Sequence, residues 1–486
     1  MRQLSGNNID SANRKMVVFG VVIVSVIAIS YLSVFVDNII SIATIFLSVL
    51  VVFITVLFKK PIFGLFSLLA YSFILPFSRE LNVDVQWGIG QEILLLLTWI
   101  AVIFSREKNK WSVLNSDIVW LVIAWFGLSV LEVANPNGAS IAGWFFEIRT
   151  TALLLVLIIP LTLLLFTRAS HLDIFLKTGI LLSLFATLIG LKQLYLGLFP
   201  GEARFLMQNA GTHLIYGQLR VFSFYTDAGQ FGASQAHFAL ICFILAMGPF
   251  STRKRFFLII AGIALFYGMM ISGTRGAFFV LSGASVGLIL TRNFRALALG
   301  VVCMIGLVMF LKFTSFGQGN YHIRRLRTAV NPTTDASYQV RLNSQLMLQN
   351  YLRDKPIGGG LGTIGINGKL YNPGSYLASI EPDSYWVKVW AMYGIVGLTF
   401  WFGLMLYLLG KCCGIVWKIQ DPMLRIKLIA LVSGSLGIFI ASYGNEVINR
   451  IPSSVVVLMS LAIVYLAPRW DTDLRKANLD MKIGNS

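Results

Sequence analysis

Arg275 stands in the short turn Ser272-Gly273-Thr274-Arg275-Gly276, between two apolar runs. An arginine close to a bilayer is expensive, about 2.5–3.5 kcal/mol at the centre on insertion scales. Its charge cannot be titrated away, and its planar fork suits bidentate phosphate binding. Gly273 and Gly276 permit a tight reversal and a close backbone approach. A snorkelling arginine at a helix end accounts for the turn equally well from these residues alone. Arg220 lies in Gly217-Gln218-Leu219-Arg220-Val221-Phe222-Ser223-Phe224, and Asp227 follows it. A local Arg220–Asp227 pair is the plain account of that segment. Arg324, Arg325, Arg327 and Arg341 cluster further on. They form either a solvated basic face or a site for a pyrophosphate or an acidic sugar.

A second group of residues offers proton chemistry. In Glu381-Pro382-Asp383-Ser384-Tyr385-Trp386, Asp383 and Ser384 are suited to cap the helix that follows. A carboxylate at that place is equally suited to act as general base on a sugar hydroxyl. The glycines at 358, 359, 360, 362 and 365 suit an anion nest of backbone N–H groups, or simply a turn between helices. Other chemistries have no motif here. There is no GxxxxGK[ST], HExxH or CxxC. His171, His213, His237 and His322 are scattered, Cys242 and Cys303 fall in apolar runs, and Cys412 and Cys413 are adjacent. No metal, cofactor or disulfide framework is expected.

The elements that must hold these residues are membrane spans. Hydrophobic residues make up 57% of the chain and charged ones 12%, against about 25% charged in soluble domains. Fourteen apolar runs read as helical spans: 16–36, 39–58, 61–76, 88–104, 117–135, 151–167, 173–191, 229–249, 256–272, 277–292, 296–312, 384–410, 424–443 and 453–467. The first is expected to be an uncleaved span, since no small-residue cleavage pattern follows it. The expected fold is all-α and polytopic. The net charge of +18 does not imply nucleic acid, because the cations flank spans.

Loop charge sets the expected orientation. Lys59 and Lys60, Arg253, Lys254 and Arg255, and Lys411, Lys418, Arg425 and Lys427 fall in one set of loops. The alternate loops hold only Arg79, Arg149, Lys192, Arg204, Arg220, Arg275 and Arg450 outside the largest one. Both termini are therefore expected in the cytoplasm, with residues 313–383 forming one large external loop. The expected division is a membrane domain over 1–312, a loop subdomain over 313–383, and a membrane domain with a cytoplasmic tail over 384–486. Within the loop, a helix is expected from about Ala336 to Arg353, capped by Asp335. Leu342, Leu346 and Met347 form one face, Arg341, Gln345 and Gln349 another, and Lys355-Pro356 ends it.

Several of these residues together resemble the bacterial O-antigen ligase and polysaccharide polymerase superfamily. Ile271-Ser272-Gly273-Thr274-Arg275-Gly276-Ala277 is similar to its S-G-[ST]-R-G-A motif. Arg341 through Asp354-Lys355-Pro356-Ile357-Gly358-Gly359-Gly360 resembles its arginine, helix and D-K/H-P-[LI]-x-G-x-G pattern. Asp383-Ser384-Tyr385-Trp386 with Tyr393-Gly394-Ile395-Val396-Gly397-Leu398 resembles the span that follows. The close resemblance covers roughly residues 210–410.

The resemblance implies glycosyl transfer from undecaprenyl diphosphate at the periplasmic face of the bacterial inner membrane, with no metal or nucleotide sugar. It further implies membrane lipids, a chain-length regulator and a flippase as partners. By position, Arg220 and Arg275 match diphosphate-contacting arginines. Arg341, Arg324 and Arg325 are further substrate-binding candidates, and Asp383 and Arg275 the catalytic ones. The R-x-x-G-x-F pattern around Arg220 is only partly present. Asp383 stands where O-antigen ligases usually carry histidine, a departure that favours a chain-extending polymerase over transfer to lipid A core. A flippase or other transporter is the competing class. Against it, most charges lie at span ends, no repeat is visible, and one external loop is enlarged.

Overall fold

The computed structural model describes residues 38–81, 86–105, 111–138, 140–215, 217–315, 319, 324, 327, 336–382 and 384–483. The chain divides into two compact units, residues 1–63 with 100–107, and residues 64–99 with 108–486. In the first, the described backbone includes the helix Asn38–Lys59. The second carries the candidate site described below.

Helix dominates, as the composition requires. Nine helices among the described residues are long and apolar enough to cross a membrane. They are α1 Ile62–Leu81, α2 Asp117–Ala134, α3 Ile141–Leu165, α4 Ala169–Tyr195, α5 Ala228–Ala246, α6 Thr252–Ile271, α7 Tyr385–Lys418, α8 Pro422–Ala441 and α9 Ser453–Lys476. Four shorter apolar helices, Thr44–Lys59, Ile89–Ile103, Arg275–Leu290 and Leu297–Phe313, fall on four more expected runs. The expected run 16–36 lies outside the described residues. Between α4 and α5 a two-residue hairpin pairs Leu214 with Leu219 and Ile215 with Gln218.

The interior is built around α5, whose apolar window is 94% buried. It packs against α6 and α8, and α8 packs against α9. The polar residues of α5, Gln230, Gln235 and His237, none more than 1% exposed, favour enclosure by other helices over contact with lipid. Its small residues Gly229, Gly232, Ala233, Ser234 and Ala236 let those neighbours approach closely.

Three elements differ from expectation. First, α3 starts at Ile141 rather than near 151 and takes a π turn over Arg149–Leu153. Arg149 is therefore a helix residue, paired with Glu92 at 3.0 Å, and not a loop cation. Second, the helix Ala336–Leu352 buries Leu348 and Leu352, while Leu342, Leu346 and Met347 are exposed. The apolar face read from sequence exists, but it points outward. Asp335, expected to cap this helix, lies outside the described residues.

Third, α7 is two helices joined at Gly394, where φ is +64°. The glycine run pairs with this break. Gly359 N–H donates to Ala391 O and Gly360 N–H to Met392 O, both at 2.9 Å, and Val396 N–H donates to Pro356 O at 3.2 Å. A helix interrupted inside a membrane protein must find new partners for its backbone, and these glycines supply them. A Cβ at Gly360 would lie 2.7 Å from Gly138 Cα. The N–H groups of Gly358, Gly359 and Gly360 are thus taken by Lys355, Ala391 and Met392 carbonyls. No anion nest forms from them.

Candidate functional site

The first turn of α5 fixes three loops at once. Asp227 caps the helix, its Oδ1 accepting from Gln230 N–H at 2.9 Å. Ala228 O accepts from Thr274 Oγ1 at 2.9 Å, which ties down the turn carrying Arg275. Ala228 N–H points to His213 Nε2 at 3.4 Å. The Gln230 amide donates to Arg450 O, Ile451 O and Ser453 Oγ at 3.1, 3.0 and 3.1 Å. One buried glutamine therefore holds the loop between α8 and α9.

Arg220 is indexed to the same turn. Its Nη2 donates to Thr274 Oγ1 at 2.9 Å and its Nη1 to Thr212 O at 2.8 Å. The segment behind it is anchored by Gln193 of α4. That side chain accepts from Ser223 N–H at 2.8 Å and donates to Ser223 O at 2.9 Å. The local Arg220–Asp227 pair is not formed, because Asp227 caps α5 instead. Around Arg275, Gly273 has φ +58°, and a Cβ at Gly276 would lie 2.4 Å from Asn445 Nδ2. Both glycines therefore serve the reversal and the close approach expected of them.

These loops enclose a cavity of about 710 Å³. Arg220, Arg275 and Arg341 all line it, although they come from three segments far apart in sequence. Glu381 and Pro382 line it as well. Arg324 is exposed and is not among the lining residues. Arg325 and Asp383 lie outside the described residues. Ser384 is the N-cap of α7, its Oγ accepting from Val387 N–H at 3.3 Å, so the cap falls on the serine. Glu381 is ion-paired with Lys369.

Sequence reasoning missed a buried charge chain at the wall of this cavity. Lys388 Nζ lies 2.9 Å from Glu147 Oε1 and 3.4 Å from Glu446 Oε2. Arg450 Nη2 lies 3.2 Å from the same Glu446 oxygen, and Asn449 Nδ2 is 3.4 Å from it. Glu446 and Arg450 line the cavity, while the Glu147 side chain is fully buried. Burial disfavours the charged form of Glu446, but Lys388 and Arg450 outweigh it and hold the carboxyl below its ordinary range. The signal available was Lys388, an ionisable residue inside the expected run 384–410; Glu147 falls before the expected start of α3 at 151 and gave none.

His213 was also missed as a wall residue. Its ring is packed edge-on against Phe205 and Phe222. Burial, and then the neighbouring Arg220, push its pKa below the usual histidine value. It is neutral at physiological pH and serves as an acceptor for the α5 N-terminus. Among the described residues no cluster of ligands is arranged for a metal ion.

What these elements define is a polytopic all-α membrane protein with an arginine-lined cavity at the ends of its helices. Residues 259–402 match the family model described as O-antigen ligase, which supports a place in the O-antigen ligase and polymerase superfamily. The matched stretch runs from α6 through the Arg275 turn, the Arg341 helix and the glycine run into α7. It supports a membrane enzyme of O-antigen ligase or polymerase type, acting on lipid-linked glycans. No curated protein matches the chain.

Proposed function

We propose that this protein is an integral membrane glycosyltransferase that polymerises undecaprenyl-diphosphate-linked oligosaccharide repeat units. It works at the periplasmic face of the bacterial inner membrane, with both termini in the cytoplasm. The observation that carries this reading is the meeting of Arg220, Arg275 and Arg341 in one cavity. A glycosyl donor on a diphosphate develops negative charge on the leaving group as the glycosidic bond breaks. Fixed guanidinium groups stabilise that charge where it appears.

The transfer balances without a metal. The acceptor hydroxyl oxygen forms a bond to the anomeric carbon as the bond from that carbon to the diphosphate oxygen breaks. The electron pair leaves with the diphosphate, toward Arg220 and Arg275. Arg341 contacts the diphosphate or the adjoining sugar. The hydroxyl proton passes to a carboxylate, for which Asp383 is the candidate on sequence grounds. Prenyl chains held by the spans bring both substrates to one depth, which reduces the entropic cost of their meeting.

A second reading has its own support. The matched family model is described as O-antigen ligase, and a ligase would transfer the glycan to lipid A core. The acceptor separates the two. Purified protein is incubated with lipid-linked repeat units, extracted from producing cells that lack this gene, with and without lipid A core. A ladder of longer lipid-linked glycans without added core is the expected result. Product formed only when core is added would replace polymerase with ligase. No product under either condition, from well-folded protein, would overturn both.

A further inference from the structure

We propose that Glu446 is a catalytic residue: a carboxylate fixed in the cavity wall as counter-charge to the sugar cation that forms when the diphosphate leaves. The inference rests on the glycosyl-transfer reading above and adds a residue to it. Departure of a diphosphate from an anomeric carbon separates charge in two directions. The negative end falls to the arginines. The positive end, an oxocarbenium-like ring, is stabilised by a nearby fixed anion.

Three described carboxylates line the cavity: Asp227, Glu381 and Glu446. Asp227 is committed to its helix, with Oδ1 capping Gln230 and Oδ2 accepting from Thr226. The Glu381 side chain is 59% exposed, in a surface pair with Lys369 where solvent screens its charge. Glu446 is arranged differently. Its donors, Lys388, Asn449 and Arg450, all converge on Oε2. Oε1 accepts no hydrogen bond among the described residues. One oxygen is therefore clamped and the other is left for the substrate.

The clamp also explains an otherwise costly arrangement. Lys388 is nearly buried, its side chain 9% exposed, and it is shared between two carboxylates. Burying charges for stability alone gives little net return against apolar replacements. Here Glu147, fully buried and itself fixed by Asn367 at 2.8 Å, holds Lys388 in place. Lys388 in turn fixes Glu446 from the α7 side, while Arg450 fixes it from its own loop. Among the described residues, Tyr385 of α7 also lies within the field of Glu446. Lys388 and Glu147 are positioning residues in this scheme. No covalent bond to Glu446 forms, and the acceptor proton still goes to Asp383.

The test uses the full-length protein in nanodiscs. Turnover is measured with lipid-linked repeat units, and binding with undecaprenyl diphosphate alone. Glu446→Gln should lower kcat by about 10²–10³-fold, with KM and undecaprenyl diphosphate affinity unchanged. Wild-type kcat in folded Glu446→Gln would overturn the proposal. So would a fall in affinity in step with kcat, which would make Glu446 a strut for the loop. Should the Gln variant not fold, Glu446→Asp supplies the same comparison, because it keeps the charge and withdraws it by one methylene. A kcat loss at constant KM supports the proposal, and wild-type kcat overturns it.

Lys388→Met adds a readout that a structural role would not move. Removing that cation raises the Glu446 pKa, so the acid limb of the kcat profile should shift to higher pH. An unshifted limb would contradict the proposal. Arg275→Ala is the control on the underlying reading. If wild-type protein turns over no lipid-linked donor, the glycosyl-transfer reading fails. If wild-type turns over donor, Arg275→Ala does not, and Glu446→Gln behaves as wild-type, only the present inference fails.

Discussion

At the scale of single residues, Arg275 separates geometry from charge. Lysine at that position keeps the positive charge and loses the planar fork. Arg275→Lys should therefore nearly abolish polymer formation in cells while protein levels stay normal, as Arg275→Ala should. Normal polymer from either variant, read on a gel of cell-surface polysaccharide, would return Arg275 to a snorkelling role. Asp383 is a second case. Ser384 already supplies the cap of α7, so capping gives no reason for Asp383→Asn to be harmful, and asparagine caps about as well as aspartate. A base role predicts a loss of about 10²–10⁴-fold in turnover. Wild-type turnover by folded Asp383→Asn would remove it from the mechanism and leave Glu381 as the next candidate.

What could be read residue by residue followed from chemistry that a single side chain announces. Arg220, Arg275 and Arg341 are conspicuous in an apolar chain, and all three line the cavity. Glu446 and His213 are not conspicuous. Glu446 acquires its role from Lys388, which is 58 residues away along the chain. His213 acquires its role from the N-terminus of α5. Neither partnership has a local spacing to reveal it. Lys388 did leave a signal, because it sits within an expected apolar run.

At the scale of elements, helix identity followed from hydropathy and the interruptions did not. Apolar periodicity locates α5, α6 and α8, whose lengths are set by the membrane. It does not locate the break at Gly394, since Tyr393-Gly394-Ile395-Val396-Gly397 is as apolar as its surroundings. The break is completed by backbone pairing with Gly359 and Gly360, a long-range contact invisible to a local window. Gly360 has φ +89° and faces Gly138 Cα. Gly360→Ala should therefore destabilise the protein by about 1–3 kcal/mol through backbone strain, with further cost from the contact. The check is the thermal unfolding midpoint in detergent. An unchanged midpoint would mean that the pairing of this loop with α7 is not a rigid part of the fold.

At the scale of the whole molecule, the cavity and the loop carrying Arg253, Lys254 and Arg255 lie at opposite ends of α5. The helix begins at the cavity with Asp227 and Ala228 and ends near that loop. Loop charge predicts that the basic end faces the cytoplasm. In a background without the native cysteines, Gly374→Cys should react with an impermeant maleimide in intact spheroplasts, and Ser251→Cys only after permeabilisation. The reverse pattern would invert the topology and place the cavity where no periplasmic substrate reaches it.

The central claim is that the arginine-lined cavity holds the diphosphate of a lipid-linked glycan, and direct binding tests it most simply. Undecaprenyl diphosphate is titrated into wild-type protein and Arg275→Ala in nanodiscs of one lipid composition. A charge-assisted contact contributes about 1.5–3 kcal/mol. Saturable binding to wild-type and an affinity lower by about 10–100-fold in the variant is the predicted result. Equal affinity in the two proteins, both shown to be folded, would contradict the account.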